Sequence, residues 1–144
     1  MRHFTVSAII IHNHKALFHL HKKLGVWLPV GGHINENELP EEATLREARE
    51  EAGLDIELYN PDRSEGLTDA VQLIRPAHII LEDIEPGHQH IDLVYYATSK
   101  TAELNPEEGE AREIKWVTQE ELQAMENVPE NAKILARSAL KTLG

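Results

Sequence analysis

The sequence predicts a mixed fold, α/β or α+β, in which helices pack on one mixed sheet. Three observations carry this expectation. Short runs rich in β-branched residues recur from FTVSAIII (4–11) to IDLVYYAT (91–98), and such residues suit the pleated, half-buried surface of a sheet. Two segments, 39–53 and 129–143, repeat their apolar residues at helical spacing instead. Strands and helices do not alternate in a regular β-α-β order, which argues for a mixed rather than a plain parallel sheet.

The elements follow in order. FTVSAIII is a first strand, NHK (13–15) a turn, and ALFHLH (16–21) a second strand. KLG (23–25) turns the chain into VWLPV (26–30), and Pro29 with Gly31 and Gly32 ends regular structure there. LPEEATLREAREEAG (39–53) is a helix, with Pro40 suited to its first position and Gly53 to the position past its end. Further strands are expected at 55–59, 70–74, 78–83, 91–98 and 113–117. Tyr95 and Tyr96 alternate faces, so one of the two is expected to be buried. Thr118 and Glu121 form a capping box that opens the short helix QEELQAM. The last helix, 129–143, places Ile134, Leu135, Ala139 and Leu143 near one face, with Gly144 after it.

Composition narrows the function. The 144 residues suit one domain, residues 1–144, with a real core. The net charge of -11 argues against binding a nucleic acid polymer, which needs a basic face. A chain this acidic that handles phosphates needs positive charge from elsewhere, and metal ions are the obvious source. With no cysteine, disulfides, thiolate metal sites and thiol nucleophiles are excluded. No apolar run approaches the roughly 18 residues of a membrane span, and MRHFTVSAIIIH has no small-residue cleavage site after it. The expectation is a cytoplasmic protein that avoids the membrane.

Charge is crowded in GGHINENELPEEATLREAREEAGL (31–54), which holds seven glutamates. At 100° per residue, Leu45, Ala48 and Ala52 make one apolar stripe, with Glu47, Glu50 and Glu51 nearly opposite. Glu47 and Glu51 are a like-charge i,i+4 pair, which costs an isolated helix a few tenths of a kcal/mol. A solvated helix face accounts for most such charge runs. Three carboxylates within reach of one point also suit a hard divalent cation.

The full string separates these readings. Gly32, Glu38, Arg46-Glu47, Glu50-Glu51 and Gly53 stand at the spacings G-x5-E-x7-R-E-U-x-E-E-x-G-U, with U apolar. This resembles the Nudix box, the signature of the Nudix hydrolases. Seven identities match, a coincidence on the order of one in 10⁸ per register at ordinary residue usage. Ala48 departs mildly from the bulkier residue usual there. WLPVGG before the box resembles the family's lead-in, with Val30 where proline is common, and EIKWVTQEEL resembles a late strand and helix.

The resemblance implies an α/β/α sandwich around a mixed sheet, with the box as a loop-helix-loop. It implies hydrolysis of a nucleoside diphosphate linked to another group, with Mg²⁺ or Mn²⁺ as cofactor and a small nucleotide as substrate. A homodimer is compatible with it. Glu47, Glu50 and Glu51 match the box's metal-binding carboxylates. Gly32, with Gly31, would bring backbone close to metal and phosphate. Arg46 would hold the rotamers of neighbouring glutamates, and Glu38 matches the box's first, more structural glutamate. The general base would be Glu47 or Glu50, or a later acid. Of Glu107, Glu108 and Glu110 in the loop NPEEGEAREIKW, Glu110 is best placed by analogy.

Other polar residues are candidates for substrate. His33 follows the glycine pair and could reach a phosphate, as could Lys22 before the GVWLP turn. His90 and Asp92 share a strand face and could meet substrate or a second metal. The pairs His12/His14, His19/His21 and His88/His90 each lack the further ligands of a zinc site. Trp27 and Trp116 are expected to pack rather than stack on bases.

Competing activities leave traces that are missing here. A Nudix-fold binding module without chemistry typically breaks the box glutamates, and these are intact. An isopentenyl diphosphate isomerase-like enzyme relies on a cysteine. A glycosylase relative needs helical domains for which 144 residues leave no room. Subfamily markers, a proline or tyrosine roughly 15–18 residues after the box, are absent from DAVQ (69–72). By default this favours a nucleoside triphosphate, oxidised ones included, hydrolysed to NMP and pyrophosphate. Hydrolysis of ADP-ribose, nucleotide sugars or dinucleoside polyphosphates is the alternative.

Overall fold

A computed structural model describes residues 1–62, 64–110 and 113–144. The chain runs β1 (Arg2–His12), β2 (Lys15–Leu20), β3 (Trp27–Leu28), β4 (Val30–His33), α1 (Pro40–Ala52), β5 (Ile56–Leu58), β6 (His78–Glu85), β7 (His88–Ser99), β8 (Ile114–Val117), α2 (Gln119–Ala124) and α3 (Glu130–Leu143). All eight strands join one sheet along the path β3-β2-β1-β7-β5, with β4 on β1, β6 on β7 and β8 on β2. β1 and β7 pair in parallel from Arg2↔Gln89 to Ile11↔Thr98, and the remaining pairs are antiparallel.

The long β1 is shared. Its second half turns back on β2 at Ile11↔Ala16, while its first half takes β4 on the same edge, Thr5↔His33 to Ala8↔Val30. This split brings the glycine pair against the middle of the sheet. A Cβ at Gly31 would collide with the carbonyl oxygen of Val6. Only glycine allows that approach.

Period-2 alternation supplies two cores. Val6, Ala8 and Ile10 join Val30, Ala48 and Ala52 on one face, under α1. Ile9 and Ile11 join Phe18, Tyr96, Ala136 and Leu140 on the other, under α2 and α3. The sheet is thus covered on both faces, the α/β/α sandwich that the sequence predicts. Double coverage corrects the tyrosine expectation: Tyr95 and Tyr96 are both buried, at 1% and 4% exposure. Tyr95 donates to Ile74 O at 3.2 Å, and Tyr96 donates to Ser138 Oγ at 2.8 Å.

Helix ends agree with the sequence. Gly53 closes α1 with φ 70. Glu42 accepts from Leu39 N–H at the other end, 2.9 Å away. Thr118 and Glu121 cap α2 reciprocally at 3.0 and 3.1 Å. Three expectations fail: Gly31 and Gly32 do not end regular structure but pair with β1 inside β4. The buried stripe of α3 is Ala132, Ala136, Ala139 and Leu140, whereas Ile134 is exposed. Residues 70–74 form no strand, because β5 and β6 already occupy one edge of β7, through Leu58↔Ala97 and His78↔Val94. No helix among the described residues is long and apolar enough to cross a membrane.

Candidate active site

α1 sets the site's geometry. Its buried residues include Ala43, Thr44, Ala48 and Ala52, and also Glu51. The helical wheel is therefore rotated from the sequence expectation. Leu45 only borders the core, and Glu51 points into the protein rather than away from it.

Glu51 lies between the sheet and the helix. Gly31 N–H donates to its Oε1 at 2.9 Å. His19 Nε2 lies 3.2 Å from its Oε2, with both side chains under a tenth exposed. Burial, then the neighbouring Glu47 carboxyl, pushes Glu51 up to about 9. Burial, then His21, lowers His19 to about 4. Without a cation the pair is neutral, and its contact is a hydrogen bond rather than an ion pair.

Arg46 gathers the remaining box acids. Its guanidinium donates to Glu38 at 2.8 and 3.0 Å, to Glu47 Oε1 at 2.8 Å and to Glu50 Oε2 at 3.1 Å. A fifth bond reaches His33 O at 3.0 Å. The hydrogen bonds from Arg46 hold Glu38 below the usual carboxylate range. Glu38 also accepts from Asn35 N–H at 3.0 Å, which fixes the loop leading into α1. Gly32 sits against this group. A Cβ there would stand 2.6 Å from Glu47 Oε1.

The acidic loop reaches the same place through backbone bonds. Asn105 N–H donates to Ala52 O and Glu107 N–H to Glu50 O, each at 2.8 Å. Both acceptors are carbonyls at the end of α1, where the helix leaves them unpaired. The bonds bring Glu110 toward the box. Burial, then Glu47 and Glu50, raises its carboxyl. Lys22 donates to Gly109 O, beside Glu110.

Glu38, Arg46, Glu47, Glu50, Glu51, Gly32, Glu110 and Lys22 thus converge. Asp92 stands apart. It is buried, and its two oxygens accept from Thr5 and Ser7 hydroxyls at 2.9 and 2.7 Å. His33 and His90 meet each other and His3 on the strands. His19 was missed in the sequence as a neighbour of Glu51. Its position facing α1 was legible from the alternation of β2, but its partner was not.

Glu47 neighbours both Glu51 and Glu110, Glu50 also acts on Glu110, and Arg46 pairs with Glu47 and Glu50. Burial, more than any neighbour, pushes the Glu51 carboxyl up to about 9. Such a donor set fits a hard divalent cation, which takes carboxylate and carbonyl oxygens.

The comparisons agree with that chemistry. Residues 1–138 match the profile of the NUDIX domain. The chain belongs to the Nudix family. A crystal structure of a NUDIX-family hydrolase from Clostridium perfringens is 50% identical, with TM-score 0.93 over 100% of this chain and 99% of that one. The MutT protein of Methanosarcina mazei Go1 shares the fold at 19% identity, with TM-score 0.73 over 98% of this chain and 94% of that one. So does the NUDIX domain of Shewanella oneidensis NrtR, solved with ADP ribose, at 18% identity and TM-score 0.73, over 100% of this chain and 90% of that one. No curated protein matches the chain. Nudix hydrolases act on nucleoside diphosphate derivatives and generally use divalent metal ions, and this chain is an enzyme of that class.

Proposed function

We propose that the chain, as one domain over residues 1–144, hydrolyses a nucleoside triphosphate, standard or oxidised, to NMP and pyrophosphate. The observation that carries this reading is the convergence of Glu47, Glu50, Glu51 and Glu110, with Glu51 buried. Glu47, Glu50, Glu51 and the Gly32 backbone would hold Mg²⁺ or Mn²⁺. When bound, the cation neutralises phosphate charge and polarises the bond to phosphorus.

The protein's own groups supply the rest. Arg46 fixes the rotamers of Glu47 and Glu50 by donating to both from one guanidinium nitrogen. The Gly31 amide orients Glu51. Glu47 or Glu50 takes the proton from the attacking water, with Glu110 as the other carboxyl in reach. The raised carboxyl of Glu110 suits a base that must work near neutrality. Lys22 is the cation nearest the mouth, and it pairs with a phosphate once released from Gly109. His33, His90 and Asp92 project from the opposite face of β4 and β7, so this reading gives them no contact with the substrate at the carboxylates. The absence of cysteine fits a cytoplasmic enzyme, and a homodimer is compatible with this reading.

A panel of nucleotides with product identification tests the reading. It includes standard and oxidised dNTPs, ADP-ribose, nucleotide sugars and dinucleoside polyphosphates, in Mg²⁺ and separately in Mn²⁺. NMP and pyrophosphate from a triphosphate are expected. Preferential cleavage of ADP-ribose or a nucleotide sugar would overturn the triphosphate assignment.

A further inference from the structure

Four histidines meet where β1, β4 and β7 run side by side. Register places His3 opposite His90, and Thr5 opposite both His33 and Asp92. Alternation puts His3, His33 and His90 on the sheet face opposite α1, while Gly32 faces the helix. The group is therefore separate from the box carboxylates, which project from α1. One nitrogen from each of His3, His33 and His90 lies within 4.8 Å of the other two. His88 adjoins them, with its Nε2 3.1 Å from His3 Nδ1.

The second observation is an unsatisfied atom. His90 Nε2 is closed off from solvent and has no hydrogen-bond partner among the described residues. A buried polar atom left so costs free energy unless something binds it. Beneath the cluster, Asp92 is held by Thr5 and Ser7 and supplies negative charge to the histidine layer. Burial, then His33 and His88, lowers His90 from its ordinary value.

We propose that His3, His33 and His90 form a second metal site, selective for a transition-metal ion of the Zn²⁺ type. Three neutral imidazoles suit such ions and disfavour Mg²⁺, which demands oxygen ligands. Zn²⁺ sits about 2.0–2.1 Å from each nitrogen, which sets tetrahedral donors roughly 3.4 Å apart. Small side-chain rotations close the cluster to that spacing. Three protein ligands leave one position for water, for His88 or for an oxygen of a bound anion. The sequence hid this site because His3 and His33 lie far from the His88/His90 pair along the chain.

Calorimetric titration of tag-free, chelator-treated protein with Zn²⁺ in excess Mg²⁺ tests the site. Excess Mg²⁺ competes for the carboxylates, and the Glu50→Gln variant identifies any Zn²⁺ that binds there instead. One equivalent is expected. His90→Ala should weaken it roughly 100-fold or more, beyond the 10–100-fold typical of losing an outer partner. His33→Ala, at an exposed position, should do likewise, and it guards against misfolding of the His90 variant. Glu50→Gln should leave Zn²⁺ binding unchanged. Co²⁺ in place of Zn²⁺ should give the strong visible absorption of a four-coordinate nitrogen site. Zn²⁺ binding that survives both histidine variants, or that is lost in Glu50→Gln, would overturn the proposal. So would weak octahedral Co²⁺ absorption, or no binding in Mg²⁺. The result does not depend on which nucleotide is hydrolysed, so it stands or falls apart from the triphosphate reading.

Discussion

Glu51 shows how one residue couples stability to the cation. Its carboxyl is pushed up to about 9, against about 4.3 in an unfolded chain. The folded state therefore holds the proton more tightly, and stability falls as pH rises between those values. His19 acts in the opposite direction below its unfolded value. Its lowered value, about 4, costs stability as pH falls from about 6.5. Between pH 7 and 9 the Glu51 contribution remains. Thermal melts in EDTA should show Tm falling over that window, and Glu51→Gln should flatten the slope. An unchanged slope in the variant would show that Glu51 is not the titrating group. Lys22 offers a second test at this scale. Lys22→Ala should raise KM severalfold with little effect on kcat, since its bond to Gly109 O holds the loop mouth rather than the reacting atoms. Residue identity was the legible part of the site: the structure brings Gly32, Glu38, Arg46, Glu47, Glu50 and Glu51 together. At 100° per residue Glu51 stands only about 60° from Ala48, on the flank of the apolar stripe rather than opposite it. It shares that flank with Thr44 and Ala48, both fully buried, and so points inward.

Among the elements, α1 and the acidic loop work as a unit. Gly53 closes the helix at φ 70, and a Cβ there would collide with backbone of Asn105. Gly53→Ala should therefore cost more than the roughly 1–2 kcal/mol of the left-handed conformation alone. It should also push the loop from the helix end, weakening the Glu107–Glu50 backbone bond. The expected result is a lower denaturation midpoint together with a lower kcat. A stability loss with full kcat would mean that the loop's position does not matter to chemistry. The sequence announced both helix ends through Pro40 and Gly53, whose conformations are local. It misjudged residues 70–74, where AVQLI has strand composition but no edge to join. Strand formation is settled by partners, and β5 and β6 had taken them.

For the molecule as a whole, an acidic chain keeps several like charges near one point only if something neutralises them. With a net charge of -11 and several carboxyls brought together by α1, a bound cation is expected to stabilise the fold. A cation at 100 times its Kd stabilises by about 2.7 kcal/mol, which for a domain of this size is roughly a 5–15 °C rise in Tm. Mg²⁺ should produce such a rise, EDTA should reverse it, and the rise should be largest above pH 7. The fold class and the box were legible because each rests on a pattern within the chain. The histidine cluster was not, since β1, β4 and β7 come together only through the sheet's split at β1.

The α1 carboxylates are proposed as the reaction centre. The most direct test is kcat at saturating Mg²⁺ for the wild type, Glu50→Gln and Glu51→Gln, on one nucleotide, with folding checked by circular dichroism. Losses on the order of 10²–10⁴-fold are expected in both variants, as for removal of a positioned acid-base or metal group, with spectra unchanged. Wild-type kcat in both folded variants would contradict it.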